Sequence, residues 1–329
     1  MPQLIVITPV RNEAWVLEAF LTHCSSWADR IIVADQHSTD GSREIALRFP
    51  KVTLIDNDNT EMHQAAARSL LFREVDRIEG EKTVFALDAD EFLSEGFGRT
   101  ADWQRIVGSQ AFEIFCFRWL NLYGDYRHAL PDTGHMEWAC HLPQGMSIAE
   151  EYERCESRAV HEMRIPCPEA GRARYVELED IRFVHLAHLN RARQRNKSDF
   201  YQLHTLADLA GRRSGVGLYR AYHPHISSLR SLAGEARLVA LHDTDLRPMV
   251  RVADHGQHYI DEMVAILRRE SCRRFRTLCI WDNPDLRAAG IDYRPPFTVR
   301  LVHSYLRATQ RQSHTLSVKA MDRLLSFFV

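Results

Sequence analysis

The sequence has no long hydrophobic run and no marked excess of charge of either sign. No stretch approaches the roughly 20 consecutive apolar residues that a helix needs to cross a bilayer, and residues 1–9 lack the charged and apolar regions of a signal peptide. The 42 lysine and arginine residues are balanced by 44 aspartate and glutamate residues, which argues against a protein that binds nucleic acid through a basic surface. These absences predict a cytoplasmic globular protein.

Cysteine is present, but without the pattern of a disulfide framework or of a structural zinc site. The seven cysteines are odd in number and irregularly spaced in a chain of 329 residues, which favours reduced thiols. A zinc site is disfavoured because no CxxC pair occurs. The cysteines and histidines that would have to form one are Cys140, His141, Cys155, His161 and Cys167.

What the sequence does contain is an alternation of short apolar runs with segments of helical length. The expected strands are 4–8, 30–34, 52–55 and 83–87, and the expected helices are 12–26, 40–49 and 61–78. Strands joined by helices in this way form parallel sheets that are buried on both faces. The pattern therefore predicts an α/β fold with a mostly parallel central sheet flanked by helices.

Beyond residue 95 the pattern is less regular. Strands are expected at 111–120 and 181–186, separated by a loop-rich segment, 121–174, and a helix is expected to begin near Asn190. After it the pattern turns helical. The chain is therefore expected to divide into a domain of residues 1–198, itself made of the parts 1–95 and 96–198, and a mainly helical C-terminal region, 199–329.

An acidic triplet, Asp88-Ala89-Asp90, directly follows the fourth strand run. Open α/β sheets bind ligands at the carboxyl ends of their strands, and carboxylates are ligands suited to Mg²⁺ or Mn²⁺. Two other Asp-x-Asp triplets occur, at 56–58 and 243–245, but only Asp88-Ala89-Asp90 follows a continuous hydrophobic strand. The triplet predicts a metal-diphosphate site, with a solvated turn as the alternative.

Two further polar clusters are expected at the same edge of the sheet. Residues 8–13 end the first strand and open a helix whose free backbone N–H groups favour anions. Asp35 ends the second strand, and its carboxylate is suited to accept the imide N–H of a uracil. Ser38 and Asp40 are expected as helix caps.

Three motifs, at residues 5–13, 29–42 and 87–93, together resemble those of the inverting family 2 glycosyltransferases. The resemblance covers residues 3–95 well and implies a GT-A fold and a nucleotide-sugar donor, which we expect to be UDP-linked. It further implies a glycan or glycolipid acceptor and a divalent cation, Mn²⁺ or Mg²⁺. Residues 1–95 would then bind the nucleotide sugar, and residues 96–198 would form the acceptor side.

The resemblance also implies roles for individual residues of the donor site. Pro9, Arg11 and Glu13 would border the base and ribose, and Asp35 would hydrogen-bond the base. Arg68 is similar to an arginine that commonly precedes an asparagine in this family, although Ser69 stands at the asparagine position here.

The acidic triplet would hold the metal. Asp88 would contact the ribose or a metal-bound water, and Asp90 would bind the cation that bridges the donor's diphosphate. A divalent cation favours departure of the nucleoside diphosphate because it stabilises the negative charge that develops on the leaving group.

Past residue 95, two fragments resemble a subgroup that modifies lipopolysaccharide cores and other bacterial glycans: His161-Glu162, and His185 followed by Lys197. The subgroup implies that Glu162 is the general base, that His185 is a further metal or diphosphate ligand and that Lys197 contacts phosphate. The residues alone leave alternatives open. Glu137 competes as the base, His185 is also compatible with a core histidine, and Lys197 with a solvated helix residue.

The alternatives to glycosyl transfer are a sugar-nucleotidyltransferase and a catalytically silent binding module. A sugar-nucleotidyltransferase would carry a glycine-rich loop after the first strand, and residues 8–13 contain no glycine. A catalytically silent module that binds nucleotide or glycan would keep the carboxylates and lack the base. Assays of binding and of donor hydrolysis distinguish this module from an enzyme.

The segment 297–329 is basic and amphipathic. It contains Asp322 as its single acid among several arginines and lysines, interleaved with large apolar residues. Such a segment suits peripheral contact with an anionic membrane surface. It equally suits a terminal helix that docks on its own domain and leaves its arginines in solvent.

Overall fold

The computed structural model describes residues 1–59, 64–131, 134–154, 164–166, 172–208, 214–223, 230–232 and 245–327. The strands are β1 Gln3–Val10, β2 Arg30–Asp35, β3 Val52–Asp56, β4 Lys82–Ala86, β5 Glu91–Leu93, β6 Glu113–Tyr123, β7 His128–Ala129, β8 His135–Leu142, β9 Arg174–His188 and β10 Arg230–Ser231. The α-helices are α1 Leu17–Ser25, α2 Ser42–Ala46, α3 Gln64–Asp76, α4 Ala101–Val107, α5 Ile148–Arg154, α6 Arg191–Asp208, α7 Gly215–Tyr222, α8 Gln257–Glu270, α9 Pro284–Ala288, α10 Phe297–Thr309 and α11 Leu316–Leu325.

The chain divides into two compact units. The first comprises Met1–Leu122, Pro131–Ala187 and Leu232–Val252, and the second comprises Tyr123–Leu130, His188–Ser231 and Ala253–Val329. The expected boundary between residues 198 and 199 falls inside helix α6, and the chain enters the helical part of the second unit at His188.

The first unit is built on a sheet with the strand order β6-β8-β4-β1-β2-β3. Strands β4, β1, β2 and β3 are parallel, and β8 is antiparallel to both β4 and β6. A further antiparallel pair is formed by β5 and β9. The predicted α/β architecture with a mostly parallel central sheet is therefore confirmed.

Both faces of β1, β2 and β4 are buried, which explains why their sequences are largely apolar. Ile5 and Ile7 of β1 point to one face, where they pack with Phe72 of helix α3. On the opposite face Phe85 of β4 packs edge-on against Trp27, with ring centroids 4.8 Å apart. Because successive side chains of a strand alternate between the faces, one strand contributes to both cores.

The segment 121–174 is less irregular than the sequence pattern indicates. Strand β8 and helix α5 both lie within it, and Asp76 at the end of α3 accepts hydrogen bonds from the backbone N–H groups of Ile148 and Ala149 in the first turn of α5. Strand β9 is also longer at both ends than the expected strand 181–186. The loop expectation was therefore wrong for β8 and α5.

The second unit is mainly helical, as expected for the C-terminal region, and has a small antiparallel pair, β7 with β10. Its core contains a buried polar network. Asn283 Nδ2 donates to Asn196 Oδ1 at 3.0 Å and to Asp199 Oδ2 at 2.7 Å. Burial raises the pKa of Asp199 to about 7, partly offset by the Asn283 hydrogen bond and by Arg195.

The described cysteines, Cys24, Cys116, Cys140, Cys272 and Cys279, are free thiols, in agreement with the expectation from their spacing. Among the helices that the structure describes, none combines the length and the apolar content that a bilayer crossing requires.

Candidate functional site

The carboxyl ends of β1, β2 and β4 lie side by side in the first unit. Val10 at the end of β1 is paired with Asp35 at the end of β2, and the backbone N–H of Leu87, just after β4, donates to Ile7 O of β1 at 3.0 Å. The polar clusters that follow these strands therefore share one edge of the sheet, as the sequence pattern predicts.

Three backbone N–H groups of the turn after β1 donate to side chains that follow β2. The N–H groups of Asn12, Glu13 and Ala14 donate to Ser38 Oγ, Ser42 Oγ and Asp40 Oδ2, at 2.8, 3.0 and 2.9 Å. Helix α1 begins only at Leu17. The expectation of free N–H groups for an anion at residues 8–13 was wrong, because side chains of the second turn already accept these bonds.

Asp35 is fully buried, and its two carboxylate oxygens differ in their surroundings. Oδ2 accepts hydrogen bonds from the Arg43 guanidinium at 3.0 Å and from the Ser38 N–H at 3.2 Å. Among the described residues, Oδ1 has no hydrogen-bond partner although it is buried. An unsatisfied buried acceptor is costly, and Oδ1 keeps its capacity to accept a hydrogen bond.

Pro9, Arg11 and Glu13 lie around this edge with half-buried side chains. Glu13 Oε2 accepts a hydrogen bond from Trp15 Nε1 at 2.5 Å. Arg43, which pairs with Asp35, also donates to Asp56 Oδ1 at 2.7 Å, and its hydrogen bonds to the two carboxylates raise the pKa of Arg43. Pro9 and Arg11 flank Val10, which is paired with Asp35, and Glu13 follows in the same turn.

Two arginines converge on Asp88, the first carboxylate of the acidic triplet. Arg164 Nη2 donates to Asp88 Oδ2 at 2.8 Å, and Arg68 Nη2 lies 3.9 Å from Oδ1. Burial lowers the pKa of the Arg68 guanidinium, whereas the pKa of Arg164 is raised, because its carboxylate neighbours outweigh the burial that opposes this shift. The Asp88 side chain is 41% exposed, so this charged group lies within reach of a ligand.

Beneath the triplet lies Glu91, a fully buried carboxylate with four donors. Oε2 accepts from the Asp88 N–H, from Trp138 Nε1 and from Arg164 Nη1, at 2.9, 3.2 and 2.6 Å. Oε1 accepts from Trp119 Nε1 at 3.1 Å. Burial raises the pKa of Glu91 to about 7, while Arg164 opposes that shift. Glu91 thus fixes the floor of the site.

Asp90 and His185 face each other across the β5–β9 pair. His185 Nε2 lies 3.6 Å from Asp90 Oδ1, and both side chains are largely buried. His185 stacks on Trp119, with centroids 5.0 Å apart and planes 10° apart. Its Nδ1 lies 2.6 Å from Asn121 Oδ1, and since an amide oxygen only accepts, Nδ1 carries the proton. Nε2 is thereby directed at Asp90.

The remaining predicted site residues are Glu162, its competitor Glu137, and Lys197. Glu162 lies outside the described residues. Its competitor Glu137 is exposed on β8. Lys197 belongs to helix α6 of the second unit, where its Nζ lies 6.0 Å from the centre of the Tyr201 ring.

The sequence disfavours a zinc site. Three of its five candidate ligands lie outside the described residues: Cys155, His161 and Cys167. Cys140 packs in the core between β4 and β6, and His141 Nδ1 pairs with Ser109 Oγ at 2.9 Å. Both are buried.

A separate group of potential ligands, His135, Glu177 and Glu179, lies on β8 and β9. The two glutamates are exposed. Arg118 Nε lies 3.3 Å from His135 Nε2 and 3.9 Å from Glu179 Oε2. A cation of the protein itself therefore already occupies the neighbourhood of these groups.

Sequence reasoning missed several residues of the site. Trp119 and Asn121 could have been found, because they alternate with Phe117 along the expected strand 111–120 and its end, and so lie on one face of it. Glu91 adjoins the acidic triplet. Arg164 carried no signal, because it comes from a segment without regular periodicity.

Residues 5–98 match the family model described as glycosyl transferase family 2. No curated protein sequence matches the chain significantly. The match to residues 5–98 supports a transferase that uses a nucleotide sugar, and the α/β unit is consistent with a GT-A-like nucleotide-binding fold.

Solved structures that match the chain include HddC from Yersinia pseudotuberculosis, at 10% identity and a TM-score of 0.32, covering 56% of this chain and 94% of that one. Another is 4-diphosphocytidyl-2C-methyl-D-erythritol synthase, at 13% identity and a TM-score of 0.37, covering 55% and 90%. A third is glucosyl-3-phosphoglycerate synthase from Mycobacterium tuberculosis, at 18% identity and a TM-score of 0.26, covering 37% and 44%. All three scores lie below 0.5, so they indicate neither reaction nor substrate. Residues 5–98 of this chain form a family 2 glycosyltransferase-like segment.

Proposed function

We propose that the protein is a metal-dependent inverting glycosyltransferase that moves a sugar from a UDP-linked donor to a hydroxyl of a glycan or glycolipid. The observation that carries this proposal is the pairing of Asp90 and His185, 3.6 Å apart, beside the carboxyl edge of the sheet. A carboxylate oxygen and an imidazole nitrogen directed at each other are suited to share one divalent cation.

The donor set fits Mn²⁺ or Mg²⁺ with further ligands from the donor. Asn121 holds the Nδ1 proton of His185, so deprotonation of Nε2 gives a lone pair directed at Asp90. Asp88 is already paired with Arg164. We therefore assign the metal to Asp90 and His185 first, and propose for Asp88 the ribose or a metal-bound water.

The positive charges beside Asp88 suit the diphosphate. Arg68 and Arg164 are largely buried guanidiniums that share the Asp88 carboxylate, and guanidiniums bind phosphate oxygens well. The cation supplies further stabilisation of the developing charge on the leaving group. Lys197 is proposed as an additional phosphate contact.

The base of the donor is proposed to bind at Asp35. Its unsatisfied Oδ1 is an acceptor suited to the imide N–H of uracil. Pro9, Arg11 and Glu13 are proposed to border the base and the ribose.

Transfer is proposed to occur by a single displacement. Glu162 removes the proton from the acceptor hydroxyl, whose oxygen attacks the anomeric carbon as the bond to the diphosphate breaks on the opposite face, so that the configuration inverts. Glu137 is the competing candidate for this base. We further propose that the acceptor is a lipopolysaccharide core or another bacterial glycan. The proposed location is the cytoplasm.

The test is a screen of nucleotide sugars for Mn²⁺-dependent donor hydrolysis with the full chain and the variant Asp90→Ala. We expect hydrolysis by the wild type and at least about a 100-fold loss in Asp90→Ala. The matched control is Asp58→Ala, because Asp58 is an exposed member of another Asp-x-Asp triplet. Full turnover of Asp90→Ala would contradict the proposal, and calorimetric binding of UDP and Mn²⁺ without turnover of any donor would favour a silent module.

A further inference from the structure

Helix α11 carries large apolar side chains that the protein leaves in solvent. Leu316 is 86% exposed, Leu324 is 55% exposed, and Phe327, in the turn that follows the helix, is 85% exposed. With Lys319 and Arg323, which are also exposed, they form what we call the outer face of α11. Residues spaced by three, four, seven and eight positions lie on one side of a helix.

The orientation of this helix is fixed from its other side. Val318 is buried, and Leu325 packs against the core formed by α7 and α10. Arg220 of α7 donates two hydrogen bonds to Asp322, of 2.9 and 3.1 Å. The same guanidinium donates to Leu306 O of α10 at 3.0 Å. The outer face therefore cannot turn inward without breaking these contacts.

The charge of the outer face is positive. Asp322 is the single acid in the segment 297–327, and Arg220 neutralises it. Among the described residues, no carboxylate pairs with Lys319 or Arg323. Apolar side chains bordered by unpaired cations are complementary to the surface of a bilayer that contains anionic lipids, where tails and headgroup phosphates lie at successive depths.

We infer that the outer face of α11 binds the surface of a membrane that contains anionic lipids. Leu316, Leu324 and Phe327 enter the headgroup layer, and Lys319 and Arg323 contact lipid phosphates. A second copy of the chain is a poorer occupant, because like charges of the two copies would face each other. The inference does not depend on the reaction proposed for the first unit.

The test is flotation of the full chain with phosphatidylcholine vesicles, with and without phosphatidylglycerol. We expect binding to the anionic vesicles, weakened by salt, and little binding to the neutral ones. The double substitution Lys319→Gln with Arg323→Gln should weaken binding about 30-fold. Leu324→Gln with Phe327→Gln should weaken it at least about 10-fold.

Matched controls remove equivalent groups elsewhere on the chain. Arg30→Gln with Arg268→Gln removes two exposed positive charges, and Leu47→Gln replaces an exposed leucine of the first unit. Both controls should bind vesicles like the wild type. A circular dichroism melt establishes that each variant is folded, and donor hydrolysis without vesicles should be unchanged in all of them.

Three results would overturn the inference. The first is failure of the wild type to float with anionic vesicles. The second is equal binding to neutral and anionic vesicles. The third is a combination of two observations. Sedimentation velocity shows a dimer that the outer-face substitutions dissociate, and the same substitutions leave vesicle binding unchanged. If a variant does not fold, the wild type alone still tests the inference. Its binding to the two vesicle types and the salt dependence of that binding are then the measurements.

Discussion

Arg164 and Asp88 form a 2.8 Å ion pair at the candidate donor site. The pair changes how the acidic triplet works, because Asp88 is already balanced by a cation of the protein while Asp90 faces His185. The two carboxylates of one Asp-x-Asp motif are thus divided between an arginine and a histidine. Each of these two contacts leads to a prediction that can be measured.

Asn121 is expected to tune the affinity for metal through His185. Replacing it with leucine removes the acceptor of the Nδ1 proton, so the imidazole is less well oriented and less basic. We expect Asn121→Leu to raise the Mn²⁺ concentration for half-maximal hydrolysis by about 10-fold, with little change of kcat at saturating Mn²⁺. Manganese binding measured by electron paramagnetic resonance should weaken in parallel.

The control for this prediction is Asn121→Asp, which keeps an acceptor for Nδ1. It should retain Mn²⁺ affinity near that of the wild type. Loss of thermal stability in Asn121→Leu with unchanged Mn²⁺ affinity would show a purely structural role instead.

Glu91 is expected to support both stability and donor binding. Glu91→Gln removes one of the two carboxylates that contact the buried Arg164 guanidinium, so the free energy of unfolding should fall by about 2 kcal/mol. Because Arg164 loses its anchor, UDP binding in the presence of Mn²⁺ should weaken by about 10-fold. Denaturant titration and calorimetry measure the two effects.

Glu113 provides a matched comparison. It is equally buried, accepts a hydrogen bond from Arg105, and also accepts one from the N–H of Gln110 at 2.9 Å. Glu113→Gln should lower stability and leave UDP affinity unchanged. Equal effects of Glu91→Gln and Glu113→Gln on UDP binding would argue against the position of Glu91 in the donor site.

Asp199 predicts a pH dependence of stability in the second unit. Its pKa is raised to about 7 by burial, so the folded state holds its proton at pH values where the unfolded chain has lost it. The free energy of unfolding should therefore fall as the pH rises from about 4 to about 7, by up to about 4 kcal/mol. Asp199→Asn should reduce this dependence in denaturant titrations at pH 5 and pH 8. The raised pKa of Glu91 contributes a fall of the same sign that persists in this variant.

Asp285 should show the opposite sign. Burial opposes the shift, but hydrogen bonds from Asn196 and Arg195 hold the pKa of Asp285 below its usual value. Its contribution to stability is present at neutral pH and is lost as the pH falls through the lowered pKa. Asp285→Asn should therefore lower the free energy of unfolding at pH 8 and leave its pH dependence above pH 5 intact.

A wild-type free energy of unfolding that does not change between pH 5 and pH 8 would contradict the prediction for Asp199.

The parallel part of the fold could be predicted from sequence because both faces of β1, β2 and β4 are buried, so their residues are apolar without interruption. Strand β8 could not. Only its second half, from Trp138 on, is buried, and its neighbours in space, β4 and β6, are not its nearest neighbours in sequence.

The residues of the site differ in the same way. Asp35, Asp88 and Asp90 follow strands directly, so local pattern locates them at the sheet edge. The partners that define their chemistry come from elsewhere in the chain: Arg164 lies 76 positions after Asp88, and His185 reaches Asp90 only through the β5–β9 pairing. Contacts of such sequence separation leave no periodic signal.

The position of β8 has a consequence for engineering. The family match ends at residue 98, yet β8 covers the side of β4 that a chain cut there would leave as an open edge. Such a fragment would offer unpaired N–H and C=O groups to other molecules and would tend to aggregate. Trp138, the donor to Glu91, is carried on the same strand. An engineered fragment of this chain should therefore extend beyond residue 98 and include β8.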